Sequence, residues 1–201
     1  MHISEGVLSA PVLITGALLA VGGVAVGLAK MRPKDVPEVA VLSSVFFVAS
    51  LIHIPVGPVS SHLVLIGITG LLLGWMAFPS ILVGLTLQAI LFQYGGFTTL
   101  GVNTFNMAFP ALLCHMLFAP MARSRLPRKV WLGGFLAGSL SIILGGLLIA
   151  LSLAASNEGF VEVGTLIAAS NFPIAIAEGV LTGFCVSFIS KVKPELLGGK
   201  R

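Results

Sequence analysis

Hydrophobic positions in this 201-residue chain neither alternate nor mark a single helical face; they run in blocks. Apolar runs cover residues 8–29, 36–55, 63–94, 104–121, 130–155 and 166–189. A block of about 20 apolar residues is what a helix needs to cross a bilayer. The 63–94 block is long enough for two short helices broken near Phe78-Pro79, at 63–77 and 79–94. The pattern predicts an all-α polytopic membrane protein: one membrane domain over 1–201, with seven transmembrane helices behind a short tail at 1–7. Small-residue spacings at Gly23/Gly27, Gly70/Gly74 and Gly134/Gly138 suit close helix approach, within the chain or against a partner membrane protein.

Composition agrees. Hydrophobic residues make up 57% and charged residues 9%, against about 25% charged in soluble domains. A water-soluble enzyme is excluded. The basic residues form three clusters: Lys30, Arg32 and Lys34; Arg123, Arg125, Arg128 and Lys129; and Lys191, Lys193, Lys200 and Arg201. Seven crossings with the N-terminus outside place all of them in the cytoplasm, with the C-terminus, and leave Glu5, Glu158 and Glu162 outside. Membrane topology therefore explains the net charge of +4 without a nucleic-acid partner. The start, M-H-I-S-E-G, lacks the basic n-region of a cleavable signal peptide. Cys114 and Cys185 form neither a disulfide framework nor a zinc motif.

The few polar residues carry the chemistry. A large second residue blocks removal of the initiator methionine, so Met1 keeps a free amine. That amine, the His2 amide nitrogen and the His2 Nδ1 form fused five- and six-membered chelate rings. The three nitrogens lie in one plane and leave a fourth position for another imidazole, a set that suits Ni²⁺ or Cu²⁺. The loop H-I-P-V-G-P-V-S-S-H, residues 53–62, is stiffened by Pro55, Gly57 and Pro58. It offers His62, with Ser60 and Ser61 beside it as orienting hydroxyls. Asn103 and Asn106 share a helix face and are placed to hold the N-terminal segment or the loop. Met107 reads as core. Glu178 is an intramembrane carboxylate, a functional candidate by default, here expected to pair with a buried backbone donor or with the neighbourhood of Glu5. Glu5 is expected to anchor the tail. No role is assigned to His53, and His115 is expected to contribute packing alone.

Taken together, M-H-I-S-E-G at 1–6, P-V-G-P-V-S-S-H-L at 55–63, G-G-F-T-T-L-G-V-N-T-F-N-M at 95–107 and F-P-I-A-I-A-E-G at 172–179 resemble the CbiM/NikM family. These are the metal-binding membrane components of energy-coupling factor transporters for cobalt and nickel. The resemblance implies metal ligation by Met1, His2 and His62, with the 95–107 segment lining the cavity. Asn171 stands where many relatives have histidine, which gives that position no expected metal role. The implied cargo is Co²⁺ or Ni²⁺, with no permanently bound cofactor. The implied partners are a transmembrane coupling protein and paired cytoplasmic ABC-type ATPases, with a small accessory membrane subunit left open. The chain has no phosphate-binding G-x-x-x-x-G-K-[ST] loop of its own. Proton competition is expected to weaken binding below about pH 6. A stand-alone metal/proton transporter would need a relay richer than Glu178. A non-transporting scaffold would leave His2 and His62 unexplained.

Overall fold

The computed structural model describes residues 2–56, 59–157, 159 and 161–198, with side chains outside 53–61 and 161–170. Helix α1 (Ala10–Lys30) opens the bundle. Pro11 lies in its first turn, where its missing N–H leaves no gap. Its buried face is Gly16, Ala20, Gly23 and Gly27, while Ile14, Leu18 and Val21 stand more than 60% exposed. Small residues inside and large apolar residues outside are the arrangement of a helix solvated by lipid. Arg32 and Asp35 close the following turn through a 3.0 Å ion pair.

Helix α2 (Val36–Ala49) ends early, and the chain then enters a two-stranded antiparallel hairpin, β1 (His53–Val56) with β2 (Val59–His62). His53 is paired with His62 in the register. The Leu63 amide donates to the Ile52 carbonyl and extends the hairpin by one rung. Helix α3 (Ile66–Phe92) follows as two limbs, Ile66–Leu73 and Ala77–Phe92, joined by a 3-10 turn at Gly74–Met76. Gly74 has φ +55°, a conformation open to glycine at little cost. Helices α4 (Leu100–Ala122), α5 (Pro127–Ser156) and α6 (Val161–Val192) complete the bundle.

The expected seven spans are not what the structure contains. Among the described residues it has six α-helical segments, and five stretches are long and apolar enough to cross a membrane: Ala10–Lys30, Ile66–Phe92, Leu100–Ala122, Pro127–Ser156 and Asn171–Val192. Two expected spans fall away for reasons of length. The 36–55 run keeps only 14 helical residues, about 21 Å, because the chain leaves the helix after Ala49 and enters the hairpin, with Pro55 inside β1. The 63–77 run keeps eight helical residues, opened by Leu65 at φ +53° and stopped by Gly74, and joins the next limb as one segment. The expectation of an outer N-terminus and a cytoplasmic C-terminus rested on seven crossings and falls with them.

The glycine pairs pack within the chain. A Cβ on Gly23 would meet the Phe78 ring, and one on Gly27 would meet Pro79 and the Trp75 carbonyl. Gly70 lies against Ala111, Gly74 against His115, Gly134 against Gly183, and Gly138 against the Glu178 carbonyl and Thr182. Gly16 against Val102 makes α1 and α4 parallel near their starts, whereas Gly134–Gly183 and Gly146–Asn171 make α5 and α6 antiparallel. The start of α1, the start of α4 and the end of α5 therefore share one end of the bundle. Lys30, Arg123 and Lys191 share the other. Phe46, Ile66, Ile81, Met107, Ile142 and Ile174 fill the core between them, each essentially inaccessible.

Candidate metal centre

The N-terminal segment crosses the end of the bundle opposite the basic clusters. Ile3 and Leu8 are buried there with Val102, Ile149 and Leu153. Burial of an aliphatic side chain contributes about 1.5–3 kcal/mol, which holds the segment down without fixing its register. Hydrogen bonds supply the register. The Ile3 amide donates to Asn103 Oδ1 at 3.0 Å, and Asn103 Nδ2 donates to the Ile3 carbonyl at 3.1 Å. One side chain thus pairs with both main-chain groups of one residue, as a neighbouring strand would. Asn103 Nδ2 also reaches Thr99 Oγ1 at 3.3 Å, which orients the amide. The Ser9 amide donates to Ser156 Oγ at 3.2 Å and ties the start of α1 to the end of α5.

Gly95 and Gly96 let the chain pass this close. A Cβ on Gly95 would lie 2.9 Å from Asn103 Nδ2, and one on Gly96 would lie 2.0 Å from Glu5 Cγ. Glu5 Oε1 accepts the Thr98 amide at 3.1 Å, so this carboxylate pins the segment to the loop before α4.

This anchoring places His2 beside His62. The rings stack with centroids 4.9 Å apart and 19° between planes. Tyr94 lies parallel to both, 6.1 Å from His2 and 6.3 Å from His62. Both ring nitrogens of His2 are buried and find no hydrogen-bond partner among the described residues. Burial, the positive chain terminus and neighbouring His62 hold the His2 imidazole well below its usual pKa of 6.5. It is therefore neutral near pH 7 and keeps a lone pair. His62 is buried, and its Nδ1 lies 3.1 Å from the Leu63 carbonyl. A carbonyl only accepts, so Nδ1 carries a proton toward it, the hydrogen bond that orients metal-ligating histidines.

The other expected residues are distributed differently. Asn106 donates to Ser152 Oγ at 3.2 Å and braces α4 against α5 rather than holding the tail. Glu178 accepts the Val64 and Leu65 amides, the latter at 2.9 Å. It thereby closes the start of α3 immediately after the His62 strand. Ser60 and Ser61 lie on β2 opposite Pro55 and Ile54; their side chains, that of His53, and Met1 lie outside the described residues. Met107 is core. His115 is remote from His2: its Nδ1 donates to the Gly70 and Leu71 carbonyls at 3.0 and 3.1 Å. It secures the α3 break by hydrogen bonding, not by packing alone. Among the described residues no three His, Cys, Asp or Glu side chains gather into a metal cluster. The expected donor set needs only two side chains, because its other nitrogens are main-chain.

Tyr94 and Thr99 had no signature of their own in the polar pattern. Tyr94 is the single tyrosine of the chain and directly precedes Gly95-Gly96, which is the signal that marks it. Gln88, fully buried and with neither side-chain polar atom hydrogen-bonded among the described residues, was hidden in a continuous apolar run.

The described residues form a multi-pass membrane bundle with two imidazoles gathered under its N-terminal segment. Residues 2–196 match the family model for the cobalt uptake substrate-specific transmembrane region, and the chain belongs to this CbiM family of transporter membrane components. It is 39% identical to a Haemophilus influenzae protein named for metal transport, covering 98% of this chain and 97% of that one. It is 32% identical to the cobalt transport protein CbiM of Kyrpidia tusciae, covering 98% and 86% respectively. The crystal structure of a transition metal transporter superimposes with a TM-score of 0.80 at 26% identity, over 96% of this chain and 93% of that one.

Proposed function

We propose that this chain is the substrate-binding component of an ATP-driven energy-coupling factor importer, and that its cargo is Co²⁺ or Ni²⁺. The metal is held by the Met1 amine, the His2 amide nitrogen, the His2 imidazole and His62. Asn103 and Glu5 fix the segment that brings these donors together. The observation that supports this reading is the His2 ring. An unpaired polar group in a buried position costs about 1–3 kcal/mol, and ligation of a metal removes that cost. The adjacent His62 presents a second imidazole at 4.9 Å.

A planar nitrogen field favours Ni²⁺, and Co²⁺ uses the same donors with an expanded shell. The relatives named for cobalt transport support the same class of cargo. The amide must lose its proton on binding, so the chelate is tight and release needs work. A coupling membrane protein and cytoplasmic ATPases supply that work in this reading. Isothermal titration of the purified chain with Ni²⁺ and Co²⁺, read beside the absorption spectrum, tests it. One metal per chain and a square-planar Ni²⁺ band are expected, with both lost in His62→Ala. An octahedral spectrum, or binding indifferent to His62→Ala, overturns the donor set.

A further inference from the structure

A second constructed feature lies at the opposite end of the bundle. The end of α4, the start of α5 and the end of α6 enclose a cleft of about 850 Å³. Arg123, Arg125, Arg128 and Lys191 line it, with the hydroxyl residues Ser124, Ser187 and Ser190 between them. No carboxylate lines it among the described residues. Four cations facing one cleft repel one another unless an anion sits among them. Arg123 is already positioned, because its Nε donates to the Leu197 carbonyl.

The wall facing the membrane core is aromatic. Trp131 and Phe184 line the cleft and meet edge to face, with centroids 6.3 Å apart. Phe184 is 63% exposed and Phe188, one turn further on the same face of α6, is 66% exposed. Both belong to the membrane-crossing segment Asn171–Val192. A basic pocket at a helix end that continues into an exposed apolar strip has the chemistry of the headgroup–acyl boundary. A free anion would have no use for the strip, and a soluble acidic peptide would not reach along it.

We propose that this cleft binds an anionic phospholipid. Its phosphate sits among the four cations, and one acyl chain lies along Trp131, Phe184 and Phe188. The site is separate from the metal centre, so it stands or falls independently of the transport reading.

Trp131 reports on it directly. In a Trp75→Phe background it is the one remaining tryptophan of the two in the chain. The full chain is reconstituted in phosphatidylcholine nanodiscs and titrated with brominated-chain phosphatidylglycerol or brominated phosphatidylcholine. Phosphatidylglycerol is expected to quench Trp131 at a far lower mole fraction. Arg125→Gln with Arg128→Gln should weaken that preference about thirtyfold, at one surface cation's contribution each. Arg125→Lys with Arg128→Lys should retain it, which separates loss of charge from loss of fold. Equal quenching by the two lipids, or a preference unchanged in the glutamine pair, overturns the proposal. Displacement of the lipid by millimolar inorganic phosphate also overturns it, because the cleft would then recognise a free anion.

Discussion

Replacing Asn103 with alanine should loosen the N-terminal segment and weaken metal binding. Asn103 is 2% exposed and pairs with both the amide and the carbonyl of Ile3, itself 4% exposed. Alanine removes both partners and leaves two buried main-chain groups unsatisfied. At about 1–2 kcal/mol for each of the two stranded groups, the docked segment loses about 2–4 kcal/mol. That is comparable to what burial of Ile3 itself contributes, about 1.5–3 kcal/mol, so docking becomes marginal. If the segment must dock before its nitrogens can close on the metal, apparent affinity falls by the docked fraction. The expected loss is about 30- to 1,000-fold. Isothermal titration with Ni²⁺ measures it, with thermal unfolding in the same detergent as the control for global stability. Asn103→Asp keeps the acceptor for the Ile3 amide but loses the donor to its carbonyl, and should fall between wild type and Asn103→Ala. An Asn103→Ala protein that unfolds at the wild-type temperature and binds within threefold of wild type would refute the coupling of docking to binding.

Gly96→Ala should displace Glu5, because its Cβ would lie 2.0 Å from Glu5 Cγ at a backbone φ of +144°. The strain of about 1–3 kcal/mol should appear as about 5- to 150-fold weaker metal binding, and an unchanged titration would show that Glu5 does not hold the segment. Glu178→Ala strands the Val64 and Leu65 amides that the carboxylate accepts. A loss of about 3 kcal/mol in unfolding free energy is expected, and an unaltered melting temperature would speak against this role. The His2 imidazole is held well below 6.5 when docked, so the undocked state binds the extra proton between that lowered value and about pH 6.5. Docking is therefore complete above about pH 6.5 and weakens as pH falls toward the lowered value, where the loss levels off. The protection factor of the Ile3 amide in hydrogen exchange should fall from pH 7 to pH 5, and His2→Ala should remove that dependence. Constant protection in the wild type would contradict it.

The lipid-facing helices were legible because apolar length alone decides them: α1, α4, α5 and the final membrane-crossing stretch fall close to the apolar runs that announced them. The glycine pairs were legible as close contacts, and the structure gives each a neighbour in the same chain. The stretch after Ala49 was not legible. Leu51, Ile52, Ile54 and Val56 are apolar in either a helix or a hairpin, and a short apolar run has no period to separate the two. Pro55 was read as the end of a helix, whereas helix α2 stops six residues earlier and Pro55 sits within β1. The 63–94 block hid its construction for a related reason. Its break is set by Gly74, at φ +55°, and not by the Phe78-Pro79 pair, because proline in a first turn does not interrupt a helix. In the candidate site, His2, His62, Asn103 and Glu5 stood out as polar residues in an apolar chain. That Glu178 meets a backbone donor was expected, but not that the donors are the amides of Val64 and Leu65, because no residue type signals which amides a carboxylate reaches. Asn106 was expected, from its spacing to Asn103, to hold the tail or the loop, but one helical turn carries it to Ser152.

In the proposed donor set the chain's own first nitrogen binds the cargo. Adding one alanine before Met1 tests it most directly, with Ni²⁺ binding and its absorption spectrum as the readout. The extension converts the Met1 amine into an amide and leaves every side chain, including His2 and His62, in place. Stoichiometric binding and the square-planar band should both disappear while the melting temperature of the metal-free protein is retained. Full affinity with an unchanged spectrum would contradict it.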